Sequence, residues 1–155
     1  MQKNYDSLKA DLHLHTFYSD GKLSPEELIQ RAKVSGLDTL SITDHDSVEG
    51  VEEATHYARL NDIEIIPGVE LSSEYKGQEV HVLGYFMNYK EPGFLEYLAS
   101  FRVKRLIRAE KIVERLNSMN IKITIDDVLS KAKGNAAIGR PHIAFALMAE
   151  CSLKL

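Results

Sequence analysis

The sequence has almost no cysteine and no long apolar run. Its single Cys151 cannot close an internal disulfide, and no His or Cys stands near it in sequence, which excludes a structural zinc knuckle. No stretch approaches the roughly eighteen uninterrupted apolar residues of a membrane span, so no membrane association is expected. The opening MQKNYDSLKA lacks the apolar core of a secretory leader, which predicts the cytoplasm. Repeats and low-complexity linkers are missing too, and nothing calls for an obligate protein partner. Net charge is -4, so there is no surplus of positive charge to coat nucleic acid or acidic lipid, although a local basic site stays compatible with it. What is present, 155 residues at 44% hydrophobic and 27% charged, suits one folded domain with a core of its own.

The first 86 residues alternate strand-like and helix-like segments, the pattern of a parallel sheet with crossover helices. Lys9 to His15 reads as a strand. Ser24 to Ser35 reads as a helix with Ser24 as cap, Pro25 in the first position, Glu27 closing a capping box and Gly36 ending it. Thr39 to Thr43 is a second strand, and Val48 to Leu60 a second helix with Asp46 or Ser47 as cap. Ile63 to Val69 and Glu79 to Phe86 supply two more strands, the latter after a Lys76-Gly77 turn. Beyond Pro92 the period becomes helical: Phe94 to Met119, a short helix opened by Thr124 and Asp127, and a third from Pro141 to Glu150.

Histidine is scarce, six in all, yet two stand one residue apart in ADLHLHTFYSDG. On a strand, residues two apart share a face, so Asp11, His13 and His15 line one side while Ala10, Leu12 and Leu14 line the other. Taken alone, the pair balances between metal ligation and an ordinary strand end. Three further strand ends add to it: SITDHDS brings His45 between Asp44 and Asp46, IIPGVELS brings Glu70, and EVHVLGY brings His81. In a parallel βα array the C-terminal strand ends share one rim, where such side chains converge. Each has a plainer reading, as helix cap, solvated loop residue or packed core histidine. All four being plain together is a poor bet.

The motifs HLH, YSDG, TDHD, PGVE, HVLGY and GRPHIA, in this order, resemble the PHP (polymerase and histidinol phosphatase) family of metal-dependent phosphoesterases, over roughly Lys9 to Glu150. Within it the sequence is most similar to the stand-alone nucleotide phosphatases and 5′→3′ exoribonucleases of the ribonuclease AM type. The resemblance implies an α/β fold, an incomplete distorted β/α barrel over residues 1–90 and a C-terminal helical insertion subdomain over 91–155. It also implies up to three divalent ions on the rim. His13 and His15 would bind one, Glu70 would bridge it to a second held by His81, and Asp20 with His45 would hold a third. Arg140 matches a substrate-phosphate position, with His142 close to it. Nitrogen and oxygen donors without thiolate favour Mn²⁺, with Fe²⁺ or Zn²⁺ as alternatives, over softer metals or Mg²⁺.

The implied activity is hydrolysis of phosphate esters of nucleotides or short 5′-phosphorylated RNA by a metal-activated water. Histidinol-phosphate phosphatase and a non-catalytic metal-binding module are the alternatives. Two departures from the family accompany this reading. A closed barrel needs on the order of 250 residues, and the later strands of the family bring a further histidine and an Asp-x-His pair, whereas the only histidine here after His81 is His142. Phe101 to Arg115 carries six basic residues, Arg102, Lys104, Arg105, Arg108, Lys111 and Arg115, for which a solvated helix face is the stronger expectation; Arg102, Arg105 and Arg108 recur every third residue, and a stripe along an RNA backbone is the weaker one. Tyr18 divides evenly between a base-stacking role and a plain rim aromatic.

Overall fold

The computed structural model describes residues 8–133 and 136–152. The first seven residues, read above for a leader, lie outside the described residues, as does the side chain of Cys151.

The elements run β1 (Ala10–Leu14), α1 (Pro25–Val34), β2 (Thr39–Ile42), α2 (Glu49–Arg59), β3 (Glu64–Tyr75), β4 (Gln78–Tyr85), α3 (Pro92–Ser118), α4 (Ile125–Leu129) and α5 (Arg140–Ser152). Local chemistry explains the best-punctuated of them. Ser24 caps α1 by accepting from the Glu27 N–H, and the Glu27 side chain accepts from the Ser24 N–H in return. At its far end Gly36 N–H reaches Lys33 O and Leu37 N–H reaches Ala32 O, the paired bonds of a Schellman stop, which requires the positive φ of +70° at Gly36. Thr124 and Asp127 form a second capping box at α4.

The sheet has the order β1-β2-β3-β4, with β1, β2 and β3 parallel. The fourth strand departs from the expected parallel array. Lys76 and Gly77, both at positive φ, make a two-residue turn, and β4 returns antiparallel along β3 from Tyr75↔Gln78 to Gly68↔Tyr85. β3 is accordingly much longer than its apolar segment, since its outer half is paired as a hairpin ribbon. The turn was visible in the sequence; a two-residue connection leaves no room for the crossover that a parallel neighbour needs.

A second difference lies in β1. Its register slips between Asp11 and Leu14, where three steps on β1 match two on β2. This bulge breaks the strict alternation, so Asp11 lines a small cavity with Leu14 and with Leu28 and Ala32 of α1, and is not grouped with His13 and His15. The expected helix cap is met in part: Val48 occupies the N-cap position without a side-chain bond, Ser47 Oγ just before it accepts from Glu49 N–H at 3.3 Å, and Asp46 is turned inward to another task.

Buried apolar residues fall into two clusters. One joins α1, α2 and the sheet through Ile29, Leu40, Ile42, Val51 and Val69, and takes in Leu98 of α3. The other joins the second half of α3 to α4 and α5 through Ala109, Val113, Val128 and Ile143. Each fully buried Ile, Leu or Val contributes roughly 1.5–3 kcal/mol relative to exposure. No helix among the described residues is long and apolar enough to cross a membrane.

Candidate metal centre

Glu70 is the centre of the rim. It lies on β3, its backbone tied to the loop after β2 by Asp46 N–H to Glu70 O at 2.9 Å, and its carboxylate is buried. Four imidazoles surround it. His13 Nε2 and His15 Nε2 lie 2.8 and 3.1 Å from Glu70 Oε2, His45 Nδ1 lies 3.6 Å from the same oxygen, and His81 Nδ1 lies 2.7 Å from Oε1. Asp20 approaches from the loop after β1, with His15 Nδ1 at 3.7 Å and His45 Nε2 at 3.6 Å. The six sequence-derived ligand candidates therefore meet in one place, although His81 arrives from the middle of an antiparallel strand instead of a fourth parallel strand end. Among the described residues they form three overlapping triplets with the geometry to hold an ion: His13, His15 and Glu70; His15, Asp20 and His45; His45, Glu70 and His81.

The donor set fits a divalent ion on its own chemistry. Burial pushes His45 down to about 4, with nearby Asp20 opposing, so its ring is neutral at physiological pH and carries a lone pair. Its Nδ1 is buried without a hydrogen-bond partner among the described residues, an orphaned acceptor or donor beside a carboxylate. Burial alone would raise the Glu70 carboxyl, but bonds to His13 and His81 hold it below its ordinary value.

The supporting residues were less legible. Asp44, fully buried, accepts from Thr16 N–H at 2.7 Å, Thr16 Oγ1 at 2.5 Å and Ser19 Oγ at 2.6 Å, which fixes the loop carrying His15 and Asp20 onto the end of β2. Burial still raises its pKa against those bonds. Gly21 closes that loop: its N–H donates to Thr16 O, and a Cβ there would stand 2.3 Å from His15 O. Asp46 accepts from Ser72 N–H and Oγ and from Arg105 Nε at 2.6 Å, a buried ion pair between the rim and α3. Of the basic residues of α3, Lys104, Lys111 and Arg115 are exposed, as a solvated face requires, whereas Arg102, Arg105 and Arg108 form no open stripe. Arg102 pairs with Glu49, Arg105 with Asp46 and Arg108 with Glu79. Tyr18 turns toward α2 and donates to Glu53 at 3.1 Å.

Arg140 opens α5, largely exposed, and its Nη2 donates to Glu79. His142 is buried two residues on, where its Nδ1 accepts from Gly139 N–H at 2.9 Å; burial lowers its pKa. It also borders a pocket of about 310 Å³ shared with Asp20, Lys22 and Lys133. Glu79 escaped the sequence reading, although its signal was present: it stands two residues before His81, the spacing that singled out His13 and His15. Burial alone would raise it, but bonds from Arg140, Arg108 and His81 hold it at about 2.

A mixed sheet whose strand ends deliver clustered histidines and carboxylates to one rim defines a metal-site α/β protein of the β/α-barrel kind. The PHP domain matches residues 11–124, and the chain belongs to that family. It is 36% identical over 136 residues to a 5'-3' exoribonuclease of Haemophilus influenzae, covering 88% of this chain and 49% of that protein. It is 33% identical over 144 residues to a 3',5'-nucleoside bisphosphate phosphatase of Chromobacterium violaceum, covering 93% and 50%. A solved amidohydrolase structure from Chromobacterium violaceum, with bound sulfate and no metal, superposes with a TM-score of 0.86 at 33% identity, over 94% of this chain and 51% of that one. The chain spans about half the length of the curated relatives it matches.

Proposed function

We propose that the protein is a metal-dependent phosphoesterase that hydrolyses phosphate esters of nucleotides or of short 5′-phosphorylated RNA, with Mn²⁺ as its ion and Fe²⁺ or Zn²⁺ as substitutes. The observation that carries this is the convergence of His13, His15, His45 and His81 on the single buried carboxylate of Glu70. The names of the relatives, an exoribonuclease and a nucleoside bisphosphate phosphatase, support the substrate class.

Clustered divalent ions, when bound, bring the pKa of a coordinated water toward neutrality and offset the negative charge of a phosphate. The chain's own residues do the rest. Glu70 belongs to two triplets and would supply a ligand to an ion in each, while neutral His45 belongs both to the triplet containing Asp20 and to the one containing His81. Asp44 and Gly21 hold the His15–Asp20 loop so that these ligands need little reorganisation. Arg140, exposed beside the rim with a planar and permanently charged fork, grips the substrate phosphate, and buried His142 stiffens the start of the helix that presents it.

The test is a metal count and a phosphate-release assay with Mn²⁺ on nucleotides and on 5′-phosphorylated oligoribonucleotides, run beside Glu70→Ala. Release that depends on Glu70 supports the proposal. Equal release by the variant, or none by the parent extended to the length of its relatives, would overturn it.

A further inference from the structure

Glu79 stands where two systems cross. Its Oε1 lies 3.3 Å from His81 Nε2, the ring nitrogen opposite the one that faces Glu70. Arg108 Nη1 donates to that same Oε1 at 2.8 Å, and Arg140 Nη2 donates to Oε2. Arg108 comes from α3 and Arg140 from the first position of α5, so two guanidiniums on different helices converge on one carboxylate. Glu79, Arg108 and Arg140 line a cleft of about 570 Å³ together with Tyr97, Phe101 and Lys104, and the cleft meets the candidate metal centre through the contact of Glu79 with His81. Guanidinium forks match the paired oxygens of carboxylate and phosphate alike, and Glu79 has the charge and the reach of a resident anion.

Resting on the phosphoesterase reading above, we propose that Glu79 is a specificity-determining residue that acts as an internal competitor for phosphate. Two unpaired guanidiniums in a half-enclosed cleft would repel one another and take up any small anion. A carboxylate of single charge holds them together and neutralises half of their charge. A phosphate dianion, with double the charge and three unprotonated oxygens, displaces Glu79 from Arg108 and Arg140, whereas a monoanion such as acetate does not. Glu79 keeps its contact with His81 throughout, so the occupant of the cleft is felt at a candidate metal ligand.

Calorimetric titration of the chelator-treated chain with inorganic phosphate, and separately with acetate, tests this without turnover. Glu79→Gln and Glu79→Ala should both bind phosphate roughly tenfold more tightly than the parent and should begin to bind acetate, because a competing charge has gone. Adding Arg108→Ala to Glu79→Gln should cancel the gain. Phosphate affinity that is unchanged or weaker in both single variants overturns the proposal and leaves Glu79 as scaffolding. The underlying reading fails by a separate route: Arg140→Ala would then leave Mn²⁺-supported phosphate release intact, whatever Glu79 does.

Discussion

Glu70→Gln keeps the volume of the side chain and removes its charge, which makes it a sharper probe than truncation. An amide cannot face four imidazoles with two negative oxygens, so metal affinity should fall by on the order of 10²-fold or more while the apolar clusters keep the fold. Elemental analysis after dialysis, alongside circular dichroism, checks both halves of that expectation. Arg140→Ala should instead leave metal content alone and remove roughly 2–4 kcal/mol of transition-state stabilisation, read from kcat/KM. His142 yields a prediction of different sign. Its pKa is lowered from 6.5 in the fold, so the unfolded chain takes up a proton that the native state refuses. The corresponding stability is intact above about pH 6.5 and declines as pH falls below it. His142→Asn, which can still accept from Gly139, should flatten part of that decline in thermal melts between pH 7 and 5.

At the scale of the elements, α3 is latched to the rim by Arg102, Arg105 and Arg108, each on a carboxylate from a different segment. Only the middle pair is buried, with Arg105 and Asp46 almost wholly enclosed. Arg105→Met would strand the Asp46 carboxylate and should cost roughly 3–5 kcal/mol in urea unfolding, against less than about 1 kcal/mol for Arg102→Met. Gly21→Ala should loosen the loop that presents His15 and Asp20, since its Cβ meets His15 O at 2.3 Å. Strand and helix order and the capping box of α1 were legible because each rests on local spacing, whereas the ligand candidates, Asp20 above all, came through the resemblance of their motifs to those of the family. The antiparallel β4, the bulge at β1 and the pairing of the α3 arginines were not legible, because they depend on what lies across the fold. Asp46 shows why: a residue of helix-capping type beside a helix start is claimed by Ser72 and Arg105, partners 26 and 59 residues away.

For the whole molecule, the three triplets draw on six residues, with His15, His45 and Glu70 each counted twice. Ions held there would draw on water for their remaining ligands, and shared donors would weaken every ion after the first. The 155-residue chain is expected to retain fewer than three ions, to release them readily to a chelator and to turn over feebly, while a chain of its relatives' length should bind and turn over fully; parallel metal counts and assays on both lengths decide it. The hairpin has a further consequence, for the order in which the centre is built. Glu70 and His81 are 11 residues apart on one two-stranded ribbon, whereas His13 must find Glu70 across 57. Hairpins close within microseconds, and contacts between distant segments wait on the ordering of everything between them. The carboxylate and its first imidazole should therefore be in register while β1 is still unfolded, so that the nascent centre begins as a two-residue seed on β3 and β4 and is completed only when the amino-terminal strand docks.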